Sequence, residues 1–198
     1  SGVNVADRDF VWNVRELCKD RNILLIIDEV QTGVARTGKF WCYQHYGITP
    51  DIVASAKALA GGIPIGAVMA KEEIASSLEF GQHGTTFGGN PFACAIGNAC
   101  LKTIEMENYA EQAAEKGAYM MERIRVKTSG NSDVLDVRGM GLMIGVELSK
   151  PGRPVVDRMF ERGVLSNAAG GNVLRIVPPL VITQQEIDIA VDIMAECI

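Results

Sequence analysis

The sequence predicts an α/β fold in two parts, and three observations carry that prediction. A helix-periodic segment near the N-terminus runs directly into an uninterrupted apolar strand, Ile23 to Ile27. Shorter strand-like runs follow, punctuated by Gly and Pro. Near residues 105–109 the texture then changes to a charged amphipathic helix and a pair of strand-like runs, which predicts a boundary there, with residues 1–106 and 107–198 as separate domains.

Taken in order, residues 7–20 place Phe10, Val14, Leu17 and Cys18 on one helical face, with Asp7 as the N-cap. The apolar run Ile23–Ile27 is what a strand buried on both faces looks like, the kind found in parallel sheets. Asp51–Ser55 and Ile65–Met69 read as further strands, separated by Gly61, Gly62 and Pro64. Pro91 to Glu107 reads as a long helix whose first turn suits Pro91, because no amide donor is needed there. A charged helix from Tyr109 through Arg125 leads to the runs Val134–Arg138 and Leu142–Leu148, with Gly139, Met140 and Gly141 as their hairpin turn. A helix after Pro154 and a strand Val173–Val177, stopped by Pro178 and Pro179, come next. The last helix opens on the capping box Thr183-Gln184-Gln185-Glu186 and buries Ile187, Ala190, Val191 and Met194.

Size and composition narrow the functional classes. The 198 residues suffice for a sizeable core, and 47% apolar with 22% charged residues is ordinary for a globular protein. A net charge of −5 with scattered basic residues argues against a nucleic-acid or anionic-lipid binder. The longest apolar run is too short to span a bilayer and the N-terminus lacks the order of a signal peptide, so the expectation is a soluble, cytoplasmic protein without membrane contact. Five cysteines without a CxxC pair, and two histidines, predict reduced thiols and no metal site.

Three segments could carry chemistry. The first, Leu24-Leu25-Ile26-Ile27-Asp28-Glu29-Val30-Gln31, puts two carboxylates at a strand end, where open α/β sheets bind ligands. Taken alone, Asp28 is equally a turn-capping residue. The run also resembles a Walker B strand, and Gly33-Val34-Ala35-Arg36-Thr37-Gly38-Lys39 imitates a phosphate loop. That imitation fails: Phe40 stands where a magnesium-binding hydroxyl belongs, no strand feeds the loop, and it follows the acid rather than preceding it. The second segment sets Lys57 among small and apolar residues after a strand, where partial burial is expected to favour the neutral, nucleophilic amine. On its own such a residue is more often a surface lysine near a turn. The third, His83-Gly84-Thr85-Thr86-Phe87-Gly88-Gly89-Asn90-Pro91, joins hydroxyls to free amides before a helix and suits a phosphate, although a Thr/Gly loop has the same composition. Gly139-Met140-Gly141 has the wrong spacing for a dinucleotide loop. Together the three supply a proton holder, an imine-forming amine and a phosphate cradle, the needs of a pyridoxal 5'-phosphate (PLP) site.

At that point the chain is recognisable. Ile27-Asp28-Glu29-Val30-Gln31-Thr32-Gly33 with Arg36-Thr37-Gly38, Asp51-Ile52-Val53 leading to Lys57, Gly61-Gly62-Ile63-Pro64-Ile65-Gly66-Ala67, the His83–Pro91 loop and Val137-Arg138-Gly139-Met140-Gly141-Leu142 resemble the class III PLP-dependent aminotransferases of the fold-type I superfamily. The acetylornithine branch is nearest, with the ornithine, succinylornithine and 4-aminobutyrate branches beside it. The resemblance covers the chain and implies that it is roughly the second half of the family pattern. Residues 1–106 would end a large PLP-binding domain with a mostly parallel sheet, and 107–198 would form a small α+β domain.

The resemblance further implies PLP as cofactor, bound covalently at Lys57, with Asp28 keeping the pyridine nitrogen protonated. Glu29 falls in the same cofactor-binding motif, Val30 would pack on the ring and Gln31 would lie near its 3-hydroxyl. Thr86 would bind the cofactor phosphate across a homodimer interface, Thr85 would lie near the substrate, and Arg175 would hold the substrate α-carboxylate. The implied reaction moves the amino group of an ω-amino donor such as N-acetylornithine to 2-oxoglutarate. A different PLP reaction, or an inert fragment contributing to an oligomeric scaffold, are the other readings.

Overall fold

The computed structural model describes residues 2–198. The chain divides into two compact units: one comprises Ala6–Ala35 and Lys39–Ala110, the other the N-terminal residues to Val5, Arg36–Gly38 and Glu111–Ile198.

The first unit begins with α1 (Arg8–Asp20), capped as expected: the Asp7 carboxylate accepts from the amides of Asp9 and Phe10 at 2.8 and 3.2 Å. The helix leads into a three-stranded sheet of β1 (Ile26–Asp28), β2 (Ile52–Ser55) and β3 (Ala67–Ala70), in that order. β1 and β2 are parallel, pairing Ile26 with Ile52, Ile27 with Val53 and Asp28 with Ala54, and β3 returns antiparallel to β2.

Two burial expectations need correction. The strand is shorter than Ile23–Ile27 and is not buried on both faces: Ile23, Leu24 and Ile26 are exposed. β1 is the edge of its sheet, paired only to β2, so half its surroundings are not provided by the described residues. Likewise α1 carries Phe10 and Leu17 on its surface and buries no residue.

Beside its buried apolar residues, a polar cluster on Asp51 ties this unit together. Asp51 is nearly buried. Its carboxylate meets the Arg15 guanidinium and the Lys71 ammonium, each at 2.6 Å, and accepts the Leu25 amide at 2.8 Å. It therefore ties α1, the entrance to β1 and the end of β3 to one point. Partial burial opposes ionisation, but the hydrogen bonds from Lys71, Leu25 and Arg15 win and hold the carboxyl well below the usual carboxylate range.

β3 is followed by one helical turn, α2 (Glu72–Ala75), and then by α3 (Pro91–Met106), which starts with Pro91 in its first turn and Asn90 as N-cap. α3 packs on the 3-10 turn Lys57–Ala60, burying Ala93 and Gly97 opposite Leu59 and Ala60.

The second unit is an antiparallel four-stranded sheet: β4 (Val134–Met140), β5 (Met143–Leu148), β6 (Asn167–Ala169) and β7 (Val173–Ile176) in the order β4-β5-β7-β6. α4 (Tyr109–Lys127), α5 (Arg153–Glu161) and α6 (Gln184–Cys197) cover it. The core joins Met120 and Ile124 of α4, Ile144, Val146 and Leu148 of β5, Leu174 of β7, Val155 and Met159 of α5, and Ile187, Val191 and Met194 of α6. The hairpin turn is Gly141-Leu142, with Met140 paired to Met143, so Gly139 and Met140, expected in the turn, end β4, and Leu142, expected to open the next strand, lies in the turn. The capping box is present: Thr183 Oγ1 accepts the Glu186 amide and the Glu186 carboxylate accepts the Thr183 amide. α4 crosses the hairpin turn at two glycines, because a Cβ on Gly117 would sit 2.0 Å from the Gly141 carbonyl oxygen, and Gly141 itself is left-handed.

Arg36 belongs to this unit. Its guanidinium donates to the carbonyls of Leu142 (3.1 Å) and Pro178 (2.5 Å), its own carbonyl accepts the Leu142 amide, and burial lowers its pKa. Among the described residues, no helix is long and apolar enough to cross a membrane.

Candidate active site

The parallel pairing of β1 with β2 brings two chemistry-bearing segments to one edge. Strand alternation fixes which way each side chain points there. Asp28 lies opposite Ala54, and both strands end at the same side of the sheet, with neighbouring strands ~4.8 Å apart. Just past Asp28 the backbone stays paired, the Glu29 amide donating to the Ala54 carbonyl at 2.8 Å. Three residues past Ala54 the chain reaches Lys57.

Asp28 is exposed, and its Oδ1 accepts the Val30 amide at 2.8 Å, a turn that fixes the carboxylate at the strand end. Glu29, on the opposite face, is fully buried. One of its oxygens accepts the Tyr43 amide at 2.9 Å, and the other accepts the Thr32 hydroxyl at 2.5 Å. Its carbonyl accepts the Gly33 amide. Burial and the Glu29 charge both push the Tyr43 phenol up. Val30 and Gln31 are half-buried.

Gly33 is required where it stands: a Cβ would meet the Trp41 ring at 2.7 Å and the Glu29 carbonyl at 2.8 Å. The next two residues, Val34 and Ala35, are buried with φ of 55° and 70°. Left-handed valine is strained, and it persists only where its surroundings over-determine it.

Lys57 opens the 3-10 turn after β2 with φ 49°, a second strained position. Contrary to expectation it is exposed rather than partly buried. The turn sends Leu59 and Ala60 into the packing against α3 and leaves the lysine on the other side. Strain of this kind costs on the order of 1–3 kcal/mol and concentrates at functional sites.

The third segment is an exposed loop before α3. Thr85 Oγ1 accepts the Gly88 amide at 3.2 Å, and Asn90 Oδ1 accepts the Ala93 amide at 2.9 Å. The helix start is thus partly satisfied by its own cap, and Thr86 in the loop before it is exposed. Arg175 lies in the other unit, on β7, where its Nε donates to Asn167 Oδ1 at 3.2 Å. It borders a cavity of about 780 Å³ between α5, β7 and α6.

Asp28, Glu29, Val30, Gln31 and Lys57 are therefore gathered at one sheet edge, and Thr85 and Thr86 precede the helix that packs on the Lys57 turn. The residues fit PLP in three respects: an exposed carboxylate at a strand end, an exposed amine in the turn that follows the adjacent strand, and a Thr/Gly loop. The sequence reading missed the inward direction of Glu29 and the clasp on Asp51. Thr32, three residues after Glu29, was the available signal for the first, and the second depends on partners far along the chain.

Residues 1–198 match the family described as Aminotransferase class-III. Acetylornithine aminotransferase from Methanocaldococcus jannaschii is 46% identical over 195 residues, covering 98% of this chain and 49% of that protein. The acetylornithine aminotransferase structure from Elizabethkingia anophelis superposes with a TM-score of 0.91 at 37% identity, covering 98% of this chain and 50% of that one. A Toxoplasma gondii ornithine aminotransferase structure described with partial PLP occupancy at its active site gives a TM-score of 0.94 at 37% identity, over 99% and 48% of the two chains. The chain spans about half the length of the relatives it matches, and over that span it belongs to the class III aminotransferases, a family of PLP-dependent enzymes.

Proposed function

We propose that the protein to which this chain contributes is an aminotransferase that moves the amino group of an ω-amino donor, such as N-acetylornithine, to 2-oxoglutarate with PLP as cofactor. The observation that carries the reading is the placement of Asp28 and Lys57 at the C-terminal ends of adjacent parallel strands. Identity to acetylornithine aminotransferases of 41–47% supports the choice of donor.

When bound, the cofactor supplies a protonated pyridine ring, an electron sink that acidifies the substrate carbon next to the reacting nitrogen. Asp28, outward and fixed by the Val30 amide, holds the proton on that ring nitrogen. Lys57 would be the attachment point for the cofactor, and its free amine would act as the base that moves the proton of the substrate carbon. Val30 would pack on the ring, Gln31 would lie near its 3-hydroxyl, and Thr86 would bind the phosphate, in this reading across a homodimer interface. Thr85 lies near the substrate. Arg175 takes the α-carboxylate through its planar fork. The location consistent with this role is cytoplasmic.

Mixing the full-length protein with PLP is expected to give the absorption band of a lysine-bound cofactor, absent in Lys57→Ala. An unchanged band in that variant would sink the assignment. Incubation with 2-oxoglutarate separates transamination from racemase or aminomutase chemistry, since only the former yields glutamate. Because the chain spans about half of its relatives, titrating PLP into the 198 residues alone tests the reading of an inert half. Tight binding and turnover exclude it.

A further inference from the structure

Glu29 is a buried carboxylate that faces away from the position proposed for the cofactor. Asp28, the last residue of β1, is exposed, whereas the next residue, Glu29, is buried, just before the turn that begins at Val30. Glu29 is fully buried, and each carboxylate oxygen is bound by the chain itself, one by the Thr32 hydroxyl and one by the Tyr43 amide. Those two donors bracket the whole excursion from Thr32 to Tyr43, which includes the strained Val34 and Ala35. The Glu29 amide and carbonyl are also engaged, with Ala54 and Gly33. A carboxyl group buried this fully is costly to place unless its hydrogen bonds are made.

We propose that Glu29 is a positioning residue rather than a cofactor contact: by clasping Thr32 and Tyr43 from inside, it fixes the outward direction of Asp28 and the turn that carries Val30 and Gln31. This rests on the assignment of Asp28 to the PLP ring.

The experiment uses the full-length protein, with PLP affinity read by absorbance titration and ring orientation by visible circular dichroism of the bound cofactor. Glu29→Asp shortens the side chain by one methylene, so it cannot span both donors. Outer-shell partners of a ligand commonly cost about 10–100-fold when changed. The expected result is PLP binding weaker by about tenfold or more and an altered visible dichroism per bound cofactor. Glu29→Gln, which keeps the length and an acceptor, should recover most of both.

A merely structural Glu29 would lower the thermal midpoint while leaving the visible dichroism per bound cofactor unchanged; that result overturns the proposal. So does Glu29→Asp behaving as wild type while Asp28→Asn loses affinity. If Asp28→Asn and Lys57→Ala both bind normally, the cofactor reading itself fails and takes this proposal with it. Should Glu29→Asp not fold, Thr32→Val removes one donor only and must shift affinity and dichroism in the same direction, by less; wild-type behaviour there overturns it.

Discussion

Asp51 shows how a single side chain organises the unit that carries Asp28 and Lys57. Its carboxylate is nearly buried, yet Lys71, the Leu25 amide and Arg15 keep it ionised. Removing one member of a fully buried ion pair costs ~3–5 kcal/mol. Lys71 retains contact with water, its side chain being 37% exposed, so Asp51→Asn should cost less, ~2–4 kcal/mol in a urea titration. The pH dependence has a definite sign. The folded carboxyl is depressed below its unfolded value of ~3.9, so its stabilisation is complete above that value and is lost as pH falls through it toward the folded one. Between about pH 5 and pH 2, wild-type stability should fall more steeply than that of Asp51→Asn. Parallel acid limbs would show that the clasp contributes nothing. The sequence made Asp28 and Lys57 legible because their neighbours form local motifs, whereas Asp51 was legible only as part of Asp51-Ile52-Val53. Its partners stand 36 and 20 residues away, and no periodicity reports such a meeting.

At the level of elements, the caps and the punctuation could be read directly. Asp7 and Thr183 each accept the amides that an N-cap must satisfy, and Pro91 opens its helix. The hairpin turn at Gly141 was equally visible. β6 was not, since Asn167-Ala168-Ala169 has little strand propensity and forms only because β7 offers it a partner. Helix periodicity also does not reveal where a helix must lack a side chain. Gly117 in α4 looks like a liability, because alanine is favoured over glycine in a helix by ~1 kcal/mol. The crossing reverses that preference: an added Cβ would lie 2.0 Å from a backbone oxygen at Gly141, which cannot swing aside as a side chain could. Gly117→Ala should therefore lower stability by ~1–3 kcal/mol, as overpacking does. A denaturation midpoint above wild type would mean that the helix and turn can separate without loss.

For the whole molecule, the decisive quantity is apolar surface. The second unit has a closed core, with Met120, Ile124, Leu148, Leu174 and Ile187 all essentially excluded from water. The first leaves Phe10, Trp12, Ile23, Leu24, Ile26, Phe80, Phe87 and Phe92 more than half exposed. Apolar periodicity marked α1 and β1 for burial, and among the described residues nothing buries them, because pattern alone does not say what covers an apolar face. Because the chain spans about half of its relatives, the covering surface is expected from the remainder of such a protein or from a second copy. Large exposed apolar patches on soluble proteins mark interaction surfaces or aggregation hazards. The 198 residues alone should accordingly bind a hydrophobic dye while folded and associate as concentration rises. Co-expression with the complementary half of a class III aminotransferase should suppress both effects. Phe92→Ser, which removes an exposed ring at 68% accessibility without touching the buried face of α3, should reduce self-association while leaving the far-ultraviolet circular dichroism unchanged. A monomeric, dye-silent chain at high concentration would show that these aromatics are tolerated in water and need no partner.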